Sequence, residues 1–278
     1  MSTEQTFTAT AAGQIWADIA VDSGIVTVTV EPGLKAARIT VRTPTDEGPV
    51  ADAVRNTTSY EHVSNGRNVL TVCVPKVQGG TCTTVQFGAG SFSSMVFTAG
   101  TGTVVSGGDV YVGGQQIVSN GRVVAEAGTV VSGPGAAGQI TVDVRLPELS
   151  SVRLETTSAD LRVLQGDLQV LDVCSLSGDV EARGVHTFRG KTTSGDFEVG
   201  SVAAKVDVSS VSGDVEVEAY GGSDFRVNTV SGDVSVSATP AASGSIDVTS
   251  VSGDITSRGA GHLAHRTRTV SGRVRPRQ

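Results

Sequence analysis

The sequence predicts an all-β chain folded as a single β-solenoid, and three observations carry that expectation. Strand-forming and turn-forming residues dominate a chain of 278 residues, with 35 glycines, 4% aromatics and an excess of Val, Thr and Ser over Leu, Lys and Glu. A Ser-Gly-Asp-apolar tetrapeptide recurs through the C-terminal half. Apolar and polar residues alternate on both sides of each copy, as half-buried strands require. Hydrophobic residues make up 38% of the chain, enough to form a core, and no segment keeps a helical period for long.

The repeat occupies residues 141–278. Its copies are Ser177 to Val180, Ser194 to Phe197, Ser212 to Val215, Ser231 to Val234 and Ser252 to Ile255. Ser158-Ala159-Asp160-Leu161 and Ser271-Gly272-Arg273-Val274 extend the series as variants at either end. Successive serines lie 17 to 21 residues apart, so seven turns of about 19 residues are expected. At about 3.3 Å per residue such a unit traces roughly 60 Å, one closed solenoid turn with two flattened faces or three short ones. The template reads apolar-x-apolar-x-x-apolar-Ser-Gly-Asp-apolar-x-apolar, as at Val206, Val208, Val211, Val215 and Val217. Its period of two slips by one residue near Ser209-Ser210, as a corner or bulge would cause.

Two further columns support this register. The position after the first apolar residue reads Arg153, Asp172, Arg189, Asp207, Arg226, Asp247, Arg266. Stacked about 4.8 Å apart, such alternating charges contribute roughly 0.2 to 1 kcal/mol per pair. Three residues on, Thr156, Ser175, Thr192, Ser210, Thr229, Ser250 and Thr269 alternate with the same parity, so the duplicated unit is a pair of turns.

Upstream, residues 87–140 form a Gly-rich region of short apolar pairs. Val104-Val105 recurs as Val123-Val124, and Val112 as Val131, 19 positions later, which favours continuation of the solenoid. A hairpin across Asn120-Gly121 is the competing expectation. Residues 1–86 hold alternating runs at 14–21, 25–30, 37–42 and 69–74, and Pro49 to Val54 suits one or two helical turns. A solenoid needs its end covered, so this segment is the expected N-terminal cap together with the first turns.

The Ser-Gly-Asp-Val repeats with flanking alternating strands, clearest at Val211 to Val217 and Val230 to Val236, resemble a bacterial adhesin-like, β-strand-repeat family of unknown function. The resemblance covers residues 141–278 best. It implies a stacked β fold and surface binding, and it carries over no site residue.

The third column of interest is acidic: Asp160, Asp179, Asp196, Asp214, Asp233 and Asp254. Carboxylates stacked about 4.8 Å apart repel by roughly 0.9 kcal/mol per pair even at the dielectric constant of water. Backbone hydrogen bonds accepted within each residue's own turn would offset this, as in Asx-turns. Bound calcium is the second reading, but nonapeptide calcium repeats place an Asp at half this spacing. Catalysis by paired carboxylates, as in a β-helical carbohydrate-active enzyme, is the third. Uniformly short repeats and few aromatic platforms argue against it, so no enzyme activity is expected.

Other chemistry finds no foothold. His262 and His265 lack companion ligands, and Cys73 reads as a small core residue. Cys174 sits at a bend, and three cysteines without metal spacing suit a reducing compartment. No Gly-x-Ser-x-Gly elbow or phosphate loop appears, so neither cofactor nor metal is expected. The net charge of −7 gives no reason to expect nucleic acid. Of Arg266, Arg268, Arg273, Arg275 and Arg277 at the C-terminus, Arg273 replaces the Asp of the acidic column, so the cluster would neutralise that column and protect the last edge. The alternative is a basic contact for an anionic partner such as nucleic acid or lipid headgroups. No membrane span or export signal is legible, so the expected compartment is the cytoplasm. A protein or glycan partner, or self-association, would use the regular ladders.

Overall fold

The structure, a computed structural model, describes residues 2–77 and 139–277 together with the strand segments 103–106, 109–112, 115–119 and 122–123. It is a β-solenoid of about six turns spaced about 19 residues apart, 68% strand and 3% helix. Seven corner motifs enclose six full intervals, which accounts for the difference from the seven turns expected. No described helix is long and apolar enough to cross a membrane.

The N-terminal region contributes β1 (Thr3–Thr8), β2 (Trp16–Val30), β3 (Arg38–Thr43), helix α1 (Pro49–Arg55), β4 (Thr58–Ser64) and β5 (Arg67–Cys73). After these come β6 (Thr103–Ser106), β7 (Asp109–Val112), β8 (Gln115–Ser119) and β9 (Arg122–Val123). The solenoid continues through β10 (Thr141–Leu146), β11 (Ser151–Ser175), β12 (Val180–Ser194), β13 (Phe197–Ser212) and β14 (Val215–Tyr220). It ends with β15 (Asp224–Ser231), β16 (Val234–Ala238), β17 (Ser245–Ser252), β18 (Ile255–Arg258), β19 (Ala264–Ser271) and β20 (Val274–Arg277).

Each turn has a first face, a corner at Ser-Gly-Asp, a second face and a return. Parallel pairing runs unbroken along the first face through β13, β15, β17 and β19, and along the second through β13, β14, β16, β18 and β20. Burial follows the alternation. Val206, Val208 and Ser210 point inward before the corner, and Val215 and Val217 after it. The one-residue slip therefore lies in the Ser-Gly-Asp corner itself rather than at Ser209-Ser210. In consequence the apolar residue before the serine faces outward: Leu176, Val211, Val230 and Val251 are all about half exposed. The return adds a buried column of Leu168, Val185, Val202 and Tyr220. Gly190 completes one inward layer, where any side chain would press on the rings of Phe188 and Phe197, packed edge to face at 5.4 Å.

The corner demands glycine. Gly195, Gly213, Gly232 and Gly253 have φ between 140° and 157°, and a Cβ at each would overlap the carbonyl oxygen of the glycine one turn back. Stacked corners thus approach more closely than any side chain allows.

The N-terminal region does more than cover an end. β2 is itself a full two-faced rung, bent at Ser23-Gly24, and it lies between two rungs that are consecutive in the rest of the chain. On one side it pairs in parallel with β11, and on the other with β5 along the first face and β10 along the second. β5 and β10 make up a single rung, interrupted at the corner. The Val74 amide donates to the Ala20 carbonyl and the Ile25 amide to the Ile140 carbonyl, each at 2.9 Å, so the intervening chain leaves and re-enters there. Beyond this rung the pairing turns antiparallel, with β3 on β10, β1 on β3 and β4 on β5. The β4–β5 hairpin turns at Asn65 and Gly66, both at positive φ (51° and 74°), as a two-residue primed turn requires. Helix α1 covers the expected Pro49 to Val54 stretch, runs one residue further to Arg55, and buries Val50, Ala51, Ala53 and Val54.

Strands β6 to β9 form a separate four-stranded sheet, antiparallel throughout. Ser119 pairs with Arg122 across Asn120-Gly121, so these strands follow the hairpin expectation and not the parallel 19-residue stack. The Val124 and Val131 correspondences and Cys82 lie outside the described residues.

Candidate functional site

The acidic column is held by the backbone, but not within each turn. Asp160 Oδ1 accepts the amide of Asp179 at 3.2 Å, Asp179 that of Asp196 at 3.0 Å, and Asp196 that of Asp214 at 2.8 Å. Asp214 accepts the amide of Asp233 and Asp233 that of Asp254, both at 2.7 Å. Finally Asp254 accepts the amide of Arg273 at 2.8 Å. Every bond crosses to the next turn, because the corner has rotated that amide away from any carbonyl in the ladder. Donation from a backbone N–H to a carboxylate offsets the repulsion between stacked charges. Asp254 also meets Arg275 at 3.4 Å, where the column ends.

The alternating charge column is equally regular in register. Asp172 stands beside Arg189, Arg189 beside Asp207, Asp207 beside Arg226, Arg226 beside Asp247 and Asp247 beside Arg266. Arg153 stands beside Asp18, which extends the column into the intercalated rung. Register does not mean ion pairing. Among the described residues only Arg266 and Asp247 in this column approach within ion-pair range, at 3.8 Å. Arg153 turns instead to Glu155 at 2.8 Å, and Lys205 bridges Asp224 at 2.8 Å and Asp207 at 4.0 Å. The hydrogen bond from Lys205 holds the Asp224 carboxyl below the ordinary range.

Ser175, Thr192, Ser210, Thr229 and Ser250 are buried inside the corner, and their hydroxyls have no partner among the described residues. At the ends of this column Thr156 accepts the Ala159 amide at 2.8 Å and Thr269 donates to the Gly253 carbonyl at 3.2 Å. His262 and His265 bond the carbonyls of Ala242 and Ala260 at 3.0 and 2.6 Å. Among the described residues no group of His, Cys, Asp and Glu is placed to hold a metal. Cys73 and Cys174 are free thiols and exposed, so Cys73 is not the core residue expected: it ends β5, where alternation turns it outward.

A different site went unread in the sequence. Beside the intercalated rung a cleft of about 590 Å³ opens over Trp16, Arg67, Gln14, Asn68, Ser151 and Gln169. A second cleft of about 310 Å³ shares Trp16 and Arg67 and adds Asp18, His62, Asn65 and Arg153. Trp16 is half-buried between cross-strand neighbours Val69 and Ser151. The Arg67 guanidinium lies 5.8 Å from its ring centroid, a cation–π contact. Burial raises the Asp18 carboxyl above the ordinary range, with Glu155 and Asp172 adding to the shift and Arg153 and His62 opposing it. His62 stacks on Tyr60 at 5.6 Å. One signal was present in the sequence. Ala17-Asp18-Ile19 followed by Ser23-Gly24 repeats the face-and-corner template, with Ile25 in place of its Asp.

Stacked two-faced turns and shared glycine corners define a β-solenoid domain. The chain belongs to the Toastrack family, DUF4097, whose profile matches residues 17–274. No curated protein matches the chain. Among solved structures it is similar to a candidate adhesin from Bacteroides fragilis, at 13% identity and a TM-score of 0.45, covering 99% of this chain and 97% of that one. A candidate adhesin from Parabacteroides distasonis matches at 12% identity and a TM-score of 0.41 over the same shares. A candidate lipid-binding protein from the same species matches at 11% identity and 0.42, covering 98% and 96%.

Proposed function

We propose that this domain is a non-enzymatic binding module that recognises a glycan or protein partner on its outer surface. The observation that carries this reading is the engagement of the acidic column. Each carboxylate from Asp160 to Asp254 accepts an amide of the following turn, so these groups act as structural acceptors. A general acid or base must be free to reach the reacting atoms, whereas each of these carboxyls is fixed on an amide of the neighbouring turn. The surface that remains consists of regular outward rows and the open cleft beside Trp16, an arrangement suited to holding a partner.

A glycan array probed with the purified domain, run beside a panel of acidic polysaccharides assayed for cleavage, tests the reading. Binding without cleavage is the expected result. Turnover that disappears in Asp196→Asn or Asp214→Asn would establish the enzyme instead. Fractionation of the source cell with detection of the intact chain tests the cytoplasmic expectation and tells which partners the domain meets.

A further inference from the structure

We infer that the paired clefts around Trp16 and Arg67 form a binding site for a carboxylated saccharide. The inference rests on the binding-module reading and gives it a place and a ligand class.

The argument starts with what the ring offers. Trp16 is the chain's single tryptophan and is only half-buried, and among the described residues the other well-exposed aromatic is Tyr60 on the adjacent hairpin. One indole on an open polar surface is a platform for the C–H face of a pyranose, which has an apolar side and a rim of hydroxyls. The rim needs groups able both to donate and to accept. Side-chain amides of Gln14, Asn68 and Gln169 line the larger cleft, and none of them is engaged by another described residue. Asn65 lines the smaller cleft from the hairpin turn that its positive φ helps to form.

Charge narrows the class. Arg67 has no carboxylate partner among the described residues and is held only against the indole. Arg153, the other guanidinium of the clefts, is already paired with Glu155 at 2.8 Å. One uncommitted guanidinium, in a chain of net charge −7, matches one carboxylate and not a run of phosphates. Asp18 is left to accept from sugar hydroxyls on the far side of Trp16 from the larger cleft's amides.

Position explains why the site forms here. β2 is inserted between rungs, and the β4–β5 hairpin stands beside it, so Trp16, Arg67 and Ser151 come from three segments far apart in the chain. The later turns repeat themselves and raise no such wall.

Because Trp16 is the only tryptophan, its fluorescence reports the site without a label. Titration of the intact domain with trigalacturonate and with 3′-sialyllactose should give a saturable change for at least one of them below about 1 mM. Galactotriose, neutral and of similar size, should bind at least tenfold more weakly. Arg67→Gln should weaken binding at least tenfold while circular dichroism and the unfolding midpoint stay near the parent's. Trp16→Phe, followed by calorimetry, should weaken it several-fold. Asp214→Asn, on the repeat face, should leave affinity unchanged. Equal affinity for the neutral sugar, or retention of affinity in Arg67→Gln, overturns the inference. If an array detects glycan binding that Trp16→Phe and Arg67→Gln leave intact, the cleft is wrong and the module reading stands. No saccharide binding at all overturns the cleft, and failure to bind any protein partner as well would remove the module reading with it.

Discussion

Tyr220 shows how a single side chain in this stack can be large, buried and still poorly served. Its ring packs edge to face on Phe225 at 5.1 Å and is fully buried, while among the described residues its hydroxyl has at most a poorly aligned contact with the Asp224 backbone. Tyr220→Phe keeps the packing and removes a buried, poorly bonded hydroxyl, so it should stabilise the domain by up to about 1 kcal/mol in urea denaturation. Burial, reinforced by the Asp224 charge and opposed by a backbone hydrogen bond from Asp224, pushes the Tyr220 hydroxyl up to about 12. A phenol that ionises later in the folded chain loses its stabilising effect as pH rises from the ordinary value of about 10 through the folded one. The parent should therefore lose midpoint stability across that window and Tyr220→Phe should not lose this component. Asp18 behaves in the same sense at acidic pH. Its folded value is raised, so the folded state bears a cost once pH climbs above the carboxylate range, and none well below it. Asp18→Asn should raise the melting temperature near about pH 7 and leave it unchanged near about pH 3. Residue roles were only partly legible. Alternation located Val206 or Val215 in the core without difficulty, but it placed Val211 there too. The corner's one-residue slip, set by backbone geometry, turns Val211 outward.

At the scale of an element the corner is the informative unit. Its three residues do separate work: serine hands the chain to the bend, glycine permits the close approach, and aspartate replaces a missing carbonyl for the next turn's amide. Asp214→Ala removes the acceptor for the Asp233 amide and should cost about 1 kcal/mol, while Asp214→Asn, which keeps an oxygen acceptor, should cost clearly less. Equal losses in chemical denaturation would mean that charge, not the cross-turn bond, matters at this position. The recurrence of Ser-Gly-Asp was plain in the sequence, whereas the direction of the bond was not. An Asx-turn and a bond to the neighbouring turn demand the same residue at the same spacing. β2 was legible as a strand for the same reason as the others. Its place in the stack was not, since pairing Trp16 with Ser151 joins positions 135 apart in sequence, with no periodic motif between them to show it. The Trp16 cleft depends on that pairing and escaped with it.

For the whole molecule, stability is the sum of turns and of interfaces between adjacent turns, so turns can be removed without redesign. Deleting residues 213–231 joins Ser212 to Gly232 and takes out one turn. Deleting 213–252 joins Ser212 to Gly253 and takes out two. Both joins keep the corner intact, and both proteins should retain the strand signal in circular dichroism. They differ in electrostatics. The single deletion removes Arg226 and places Asp207 against Asp247, two like charges in adjacent strands, whereas the double deletion brings Asp207 against Arg266 and keeps the alternation. Opposed like charges cost roughly 0.2 to 1 kcal/mol, and on this exposed face salt screens them. The single-turn deletion should therefore gain unfolding stability as salt is raised, and the double deletion should show no such gain or a small loss. Since the parent's column holds only one ion pair, Arg266 with Asp247, the effect should be modest, and its sign is the discriminating quantity. An identical salt response in the two deletions would mean that the alternation of Arg and Asp is a trace of duplicated turn pairs with no energetic role, and that the fold is held by its corners and inward columns alone.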